Sequence, residues 1–242
     1  MNDKRQQALQ KFADEQALGR VDLELLDRAL THKSYANELK AKSSTDSHPE
    51  LYNERLEFLG DTVLGMVVAN ALFTTFPREN EGNLTKKKAQ AVCEATLAEV
   101  GNKLEIGSYL LMGKGELATG GATRRSNIAN AVEAVIGALF LSSGYENTET
   151  QILRLWKAYI EEGRVSEDSV DYKSQLQEHF VQATKTRPEY QVLASRGPDH
   201  RKEYEVGLFL KGKKLATATG SSRKRAEQEA AKKYLTEIRN SE

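Results

Sequence analysis

Asn53-Glu54-Arg55-Leu56-Glu57-Phe58-Leu59-Gly60-Asp61-Thr62-Val63-Leu64 opens a stretch, 53–76, whose apolar residues recur at three- and four-residue spacing. That period predicts a helix. At about 100° per residue, with Glu54 at zero, Glu57 falls near 300° and Asp61 near 340°, so three carboxylates share a wedge of about 60°. Leu56, Leu59, Val63, Met66 and Val67 span roughly 120–220° on the opposite side and form the expected buried stripe. Phe58, near 40°, falls with the acids, where a large aromatic needs a covering surface. Gly60 and Gly65 each cost an isolated helix up to ~1 kcal/mol relative to Ala. Their retention implies close packing by another backbone. Like charges three or four residues apart repel by a few tenths of a kcal/mol; a divalent cation would turn that cost into binding energy.

A second stretch supplies a complement. Ser126 is a candidate N-cap for Asn127-Ile128-Ala129-Asn130-Ala131-Val132-Glu133-Ala134-Val135-Ile136, in which Asn130 and Glu133 stand at i and i+3. A glutamate inside so apolar a run is at least partly buried, and a buried carboxylate needs a partner or a metal. Helical periodicity also marks 18–30, 84–104, 126–142 and 149–160, with Pro77 and Gly144 as end signals. The first part of the chain is therefore expected to be an all-α bundle.

Beyond residue 160 the composition changes. Glu161-Glu162-Gly163-Arg164-Val165-Ser166-Glu167-Asp168-Ser169 is polar and nearly free of bulky apolar residues, as a linker is. The chain of 242 residues carries 35 basic and 35 acidic side chains, but residues 171–242 hold 15 basic and 10 acidic, leaving 20 and 25 before them. Two domains are expected, 1–163 acidic and 171–240 basic, joined by a linker at 164–170. Basic surfaces favour polyanions and acidic clusters favour metal ions. In the basic part, 171–180 reads as an amphipathic helix, 190–195, 203–210 and 214–219 as strands, and Lys211-Gly212-Lys213 as a hairpin turn. A last helix carries Ala226, Ala230, Ala231, Tyr234, Leu235 and Ile238 on one stripe. The order is α-β-β-β-α, an α+β fold. Ser221 or Ser222 caps that helix, and Arg223, Lys224 and Arg225 fill its first turn, opposing the helix dipole by roughly 0.3–1 kcal/mol each. Phosphates docked there would reverse the sign.

Other features carry less. A single cysteine, Cys93, excludes an intramolecular disulfide and a multi-cysteine zinc site. No targeting signal is visible at the start, and the uninterrupted apolar runs, 63–69 and 134–141, are too short to span a bilayer. A soluble, cytoplasmic protein without a membrane partner is expected. Gly113-Lys114-Gly115 lacks the full phosphate-loop pattern.

The stretch 53–64 resembles the signature of the ribonuclease III family of double-stranded-RNA endonucleases. Thr31-His32-Lys33-Ser34-Tyr35, Gly113-Lys114-Gly115-Glu116 and Ala129–Gly137 resemble further motifs of that family, in the same order and spacing. The resemblance implies a homodimeric helical endonuclease domain that uses Mg2+, with Mn2+ as a substitute. It places Glu57, Asn130 and Glu133 as metal ligands, with Asp61 and Glu133 as catalytic groups. Glu54 and Glu81 match auxiliary acids of the cleavage groove, and Phe58 an aromatic buried in the partner subunit. Products with a 5′-phosphate, a 3′-hydroxyl and two-nucleotide 3′ overhangs are implied, from precursors of ribosomal or messenger RNA. The basic part resembles a double-stranded-RNA-binding domain. There Gly197-Pro198-Asp199-His200 matches a minor-groove loop, Ser174 and Gln177 match contacts on the first helix, and Ser222, Arg223 and Lys224 match phosphate contacts.

The family most often carries aspartate where this chain has Asn130. An amide oxygen still ligates a hard cation but brings no charge. The expectation is a retained, weaker metal site; the alternative is a duplex-RNA-binding protein with attenuated cleavage.

Overall fold

Glycine, more than any apolar residue, decides how the two longest helices meet. The computed structural model describes residues 1–42, 51–162, 172–198 and 202–239. The chain divides into two compact units, Met1–Ser169 and Val170–Glu242; the expected linker at 164–170 lies outside the described residues.

The described residues of the first unit are helical: α1 Asp3–Glu15, α2 Leu23–Ala29, α3 Lys33–Lys42, α4 Glu54–Thr75, α5 Glu81–Ala91, α6 Glu94–Lys103, α7 Lys114–Ala118 and α8 Arg125–Ile160, with short 3₁₀ turns between. Its core is built on Leu9, Phe12, Leu26, Leu30, Leu56, Leu64 and Trp156, each at most 1% exposed. The Trp156 indole N–H donates to the Ala91 carbonyl at 2.9 Å, satisfying the ring's polar atom inside the core. Helices α4 and α8 cross backbone to backbone. A Cβ on Gly60 would stand 1.7 Å from the Glu133 carbonyl oxygen, and one on Gly137 2.3 Å from that of Leu56.

Several expectations are corrected. The single helix expected over 84–104 is two, because Cys93 is extended (φ −75°, ψ 158°) and caps α6. The one expected over 18–30 shrinks to α2, after Gly19 turns the chain at φ +73°. Ser126 is not the N-cap of α8; Arg124 holds that position, without a side-chain capping bond. Gly144, at φ +76° and ψ −174°, does break the helix near the expected end, and α8 is two helical segments meeting across that kink. Met66, assigned to the buried stripe, is 50% exposed. The apolar runs are short, yet α4 and α8 are each long and apolar enough to cross a membrane. In the fold they pack on each other as core helices.

The second unit is α9 Tyr172–Thr184, an antiparallel sheet in the order β1 (Glu189–Arg196), β2 (Glu203–Leu210), β3 (Lys213–Gly220), and α10 Arg223–Arg239. Lys211 (φ +50°) and Gly212 (φ +79°) make the two-residue turn between β2 and β3, both left-handed as a tight hairpin requires. Leu176, Phe180, Leu208, Ala216, Ala230, Ala231 and Leu235 close the core between sheet and helices.

Candidate functional site

The start of α4 is pinned before any charged group is placed. Asn53 is buried, and its backbone N–H donates to the Thr31 carbonyl at 3.0 Å. Leu30 and His32 bond in turn to Leu111, so the strap at 30–32 ties the loop before α7 to the first turn of α4. From there Glu54, Glu57 and Asp61 project on one face. The glycine crossing sets Glu133 of α8 directly beneath them.

Lys33 pairs with Glu54 at 2.9 Å across an exposed surface. Glu57 is half-buried and hydrogen-bonded to the Asn130 side chain. A carboxylate only accepts, so the amide NH2 is the donor to Glu57. Burial pushes Glu57 above the usual carboxylate range and repulsion from Glu54 adds to it, while Lys33 and the Asn130 bond oppose the rise. Glu133 is pushed up to about 7, first by burial and then by the negative charges of Asp61 and Glu57. No cation is among the charges acting on it. The acids expected to act together do interact across two helices, and Asn130 stands among them. Glu81 is exposed at the start of α5, and its carboxylate accepts the Thr85 hydroxyl at 2.9 Å.

Among the described residues, no three His, Cys, Asp or Glu side chains stand close enough to hold a metal ion unaided. Magnesium asks less, since it keeps several waters and takes one or two carboxylates. A half-buried carboxylate raised by two neighbouring acids, with the Asn130 amide one turn before it on the same helix, fits that ion.

A second network was not foreseen. Glu116 accepts from Arg124, and from Asn127 Nδ2 at 3.1 Å; Asn127 also donates to the Gly121 carbonyl at 3.0 Å. Arg124 and Asn127 begin α8, so Glu116 fixes the turn that precedes Asn130. His32 Nδ1 lies 2.8 Å from the Ser34 hydroxyl, which accepts from the Gly113 N–H at 2.9 Å. Burial lowers the His32 pKa. The motifs at 31–35 and 113–116 were visible in the sequence, but nothing in their spacing gave these bonds.

Phe58 is 79% exposed, and Met66 (50%) and Phe73 (69%) continue an apolar stripe along the same helix. In the second unit, Ser174 and Gln177 are exposed on α9, and Ser222 and Lys224 at the start of α10. The Ser222 hydroxyl accepts from the Arg225 N–H at 3.2 Å, confirming Ser222 as the capping side chain. Arg223 is less free than expected: its Nε donates to Glu227 at 2.8 Å. His200, with Asp199, lies outside the described residues.

Fold and site together define a two-part protein, a helical domain with a half-buried acidic cluster followed by an α-β-β-β-α nucleic-acid-binding module. Residues 22–159 match the model of the Ribonuclease-III-like family, and 172–238 that of the double-stranded RNA binding motif. Ribonuclease 3 of Moorella thermoacetica is 46% identical over 237 residues, 97% of each chain. That of Borreliella burgdorferi is 36% identical over 238 residues, 98% of this chain and 94% of its own. Among solved structures, the nuclease domain of ribonuclease III from Campylobacter jejuni, described for structural flexibility in a region involved in dimer formation, matches at TM-score 0.55. It is 37% identical and covers 62% of this chain and 97% of its own. The chain belongs to the ribonuclease III family, the endoribonucleases of double-stranded RNA.

Proposed function

We propose that the chain is a magnesium-dependent hydrolase that cuts both strands of duplex RNA as a homodimer, in the cytoplasm, during maturation of ribosomal and messenger RNA precursors. The observation that carries the hydrolytic reading is Glu133, a half-buried carboxylate raised to about 7 by burial and by two acids from another helix. Glu57, Glu133 and the amide oxygen of Asn130 would hold the ion. Magnesium, when bound, lowers the pKa of water and offsets charge on the phosphate and on the departing 3′ oxygen.

The chain's own groups do the rest. Asp61, exposed at the rim of the cluster, orients the attacking water and takes its proton. Asn130 holds Glu57 through its NH2. Attack on phosphorus with loss of the 3′ oxygen leaves a 5′-phosphate and a 3′-hydroxyl. Two such sites offset across a duplex leave two-nucleotide 3′ overhangs. The stripe of Phe58, Met66 and Phe73 supplies the face for the second copy. Ser174, Gln177, Ser222, Arg223, Lys224 and His200 meet the duplex. A-form RNA presents a wide minor groove with 2′-hydroxyls, which favours reading by shape over sequence.

The test is a long RNA duplex incubated with the protein in magnesium or in EDTA. Short fragments only with the metal support the proposal. A shifted, intact duplex under both conditions makes the chain a binder alone. Glu133→Gln is expected to abolish cleavage and leave duplex binding intact, because the contacts to RNA in the second unit are untouched.

A further inference from the structure

Glu227 is a charged residue that the functional reading leaves without a task. It sits one turn into α10, only 7% exposed. Its Oε2 accepts from Lys173 Nζ at 2.6 Å and its Oε1 from Arg223 Nε at 2.8 Å. Lys173 belongs to α9 and Arg223 opens α10, so one carboxylate joins the two helices that present Ser174, Gln177, Ser222 and Lys224. The joint is doubled: the Lys173 backbone N–H donates to Gln228 Oε1 at 3.2 Å, and Lys173 Nζ lies 4.8 Å from the centre of the Tyr190 ring on β1. Burial alone would raise the Glu227 pKa, but its two cationic partners hold it below the usual range.

Stability is a poor reason for such a bridge. Buried ion pairs often contribute little against apolar residues of the same shape, and their best use is to fix one arrangement among several. A cation free on its stem follows any phosphate and adds affinity for every polyanion. A cation held at both ends meets phosphate only where the partner's geometry brings it.

We propose that Glu227 is a positioning residue for duplex recognition: it fixes Lys173 and Arg223 so that α9 and the first turn of α10 approach RNA at one spacing, that of the A-form. This deepens the reading of the second unit as a duplex-RNA binder and rests on it. Holding two cations by one carboxylate lowers general affinity for nucleic acid and raises discrimination between duplex RNA and duplex DNA.

The test uses the full chain in EDTA, with RNA and DNA duplexes of equal length, binding followed by fluorescence anisotropy across a salt series, and folding by circular dichroism. Glu227→Gln is expected to reduce the RNA-to-DNA affinity ratio about tenfold and to steepen the salt dependence by about one unit, as one more phosphate contact becomes available. Lys173→Gln breaks the same bridge from the other helix while removing a cation. It is expected to lower the ratio as well, without a steeper slope. Lys173 is one-third exposed and Glu227 keeps Arg223 as a partner in this variant, so Lys173→Gln decides the matter if Glu227→Gln does not fold. A folded Glu227→Gln protein with an unchanged ratio overturns the proposal, as does a Lys173→Gln protein that discriminates like the wild type. A wild-type protein that shows no preference for duplex RNA overturns the underlying reading and the proposal with it.

Discussion

Gly60 faces the backbone carbonyl of Glu133 so closely that a Cβ would lie 1.7 Å from its oxygen. The contact that lets α4 and α8 touch is thus also the contact that brings the Asn130–Glu133 turn of α8 to the acids of α4. No flexible side chain is available to yield there, since the obstructing atoms are main chain. Gly60→Ala must push the helices apart. Overpacking a core costs typically ~1–3 kcal/mol and sometimes more, and this position belongs at the upper end. The expected outcome is a fall in melting temperature of about 10 °C, taking ~2–4 °C per kcal/mol for a chain of this size, with cleavage lost at temperatures where the protein is still folded. Gly137→Ala, 2.3 Å from the Leu56 oxygen, is expected to behave alike. A Gly60→Ala enzyme with wild-type melting and turnover would mean that the crossing is looser than the structure has it.

The Glu133 carboxyl gives the metal-free protein a pH dependence of definite sign. Folding raises its pKa from 4.5 to about 7, so between those values the folded state holds a proton that the unfolded state has released. Stability from this group is complete below pH 4.5 and is lost as pH rises through 7. Other groups titrate too, so the comparison is with Glu133→Gln, which lacks this site. In EDTA the wild type is expected to lose melting temperature relative to the variant from pH 5 to pH 8. Magnesium, which requires the ionised carboxylate, is expected to stabilise the wild type more at pH 8 than at pH 5. Parallel curves for wild type and variant would remove Glu133 from the buried cluster.

Asn130→Asp tests what the neutral side chain does among the acids. In the wild type its NH2 is bonded to Glu57; aspartate would replace that bond with repulsion and add a negative charge to the cluster. Without metal the variant is expected to melt lower. With metal, the half-saturating magnesium concentration for cleavage is expected to fall about fivefold, equivalent to ~1 kcal/mol. An unchanged or higher requirement would show that the amide is the better partner for this set of acids.

Much of this geometry was legible beforehand, for a local reason. The wedge of Glu54, Glu57 and Asp61 follows from helical pitch alone, and Gly60 rightly implied a close backbone neighbour, whereas Gly65 meets only the Lys88 side chain, at 3.5 Å. Which residues lie at that neighbour's contact was not in the period, because the crossing joins Gly60 and Glu133, residues far apart in the chain on two different helices. The break at Cys93 left no trace either: an extended residue between two helices carries neither proline nor glycine there. Met66 was misplaced because it stands at the edge of its stripe, where the neighbouring element, not the wheel, decides exposure. The partners of Glu116 were not legible because Arg124 and Asn127 lie across an irregular stretch in which spacing has no fixed geometric meaning. The α-β-β-β-α module was easier, since alternation in β2 and a two-residue turn fix its register locally.

Phe58 carries the prediction about assembly. It is 79% exposed, and Phe73 is 69% exposed on the same side of α4. Burying a phenylalanine side chain is worth roughly 1.5–3 kcal/mol, and in a two-fold dimer each substitution counts twice. Phe58→Glu also places a negative charge beside Glu54 and Glu57, so an assembled dimer would have to desolvate it. Sedimentation velocity at micromolar concentration is expected to show the wild type as a dimer and the variant as a monomer. Duplex RNA binding by the second unit should persist in the variant, while double-strand cleavage falls at least tenfold, because two sites must act on one duplex. A variant that still sediments as a dimer would move the subunit contact away from this stripe and leave its exposed aromatics unexplained.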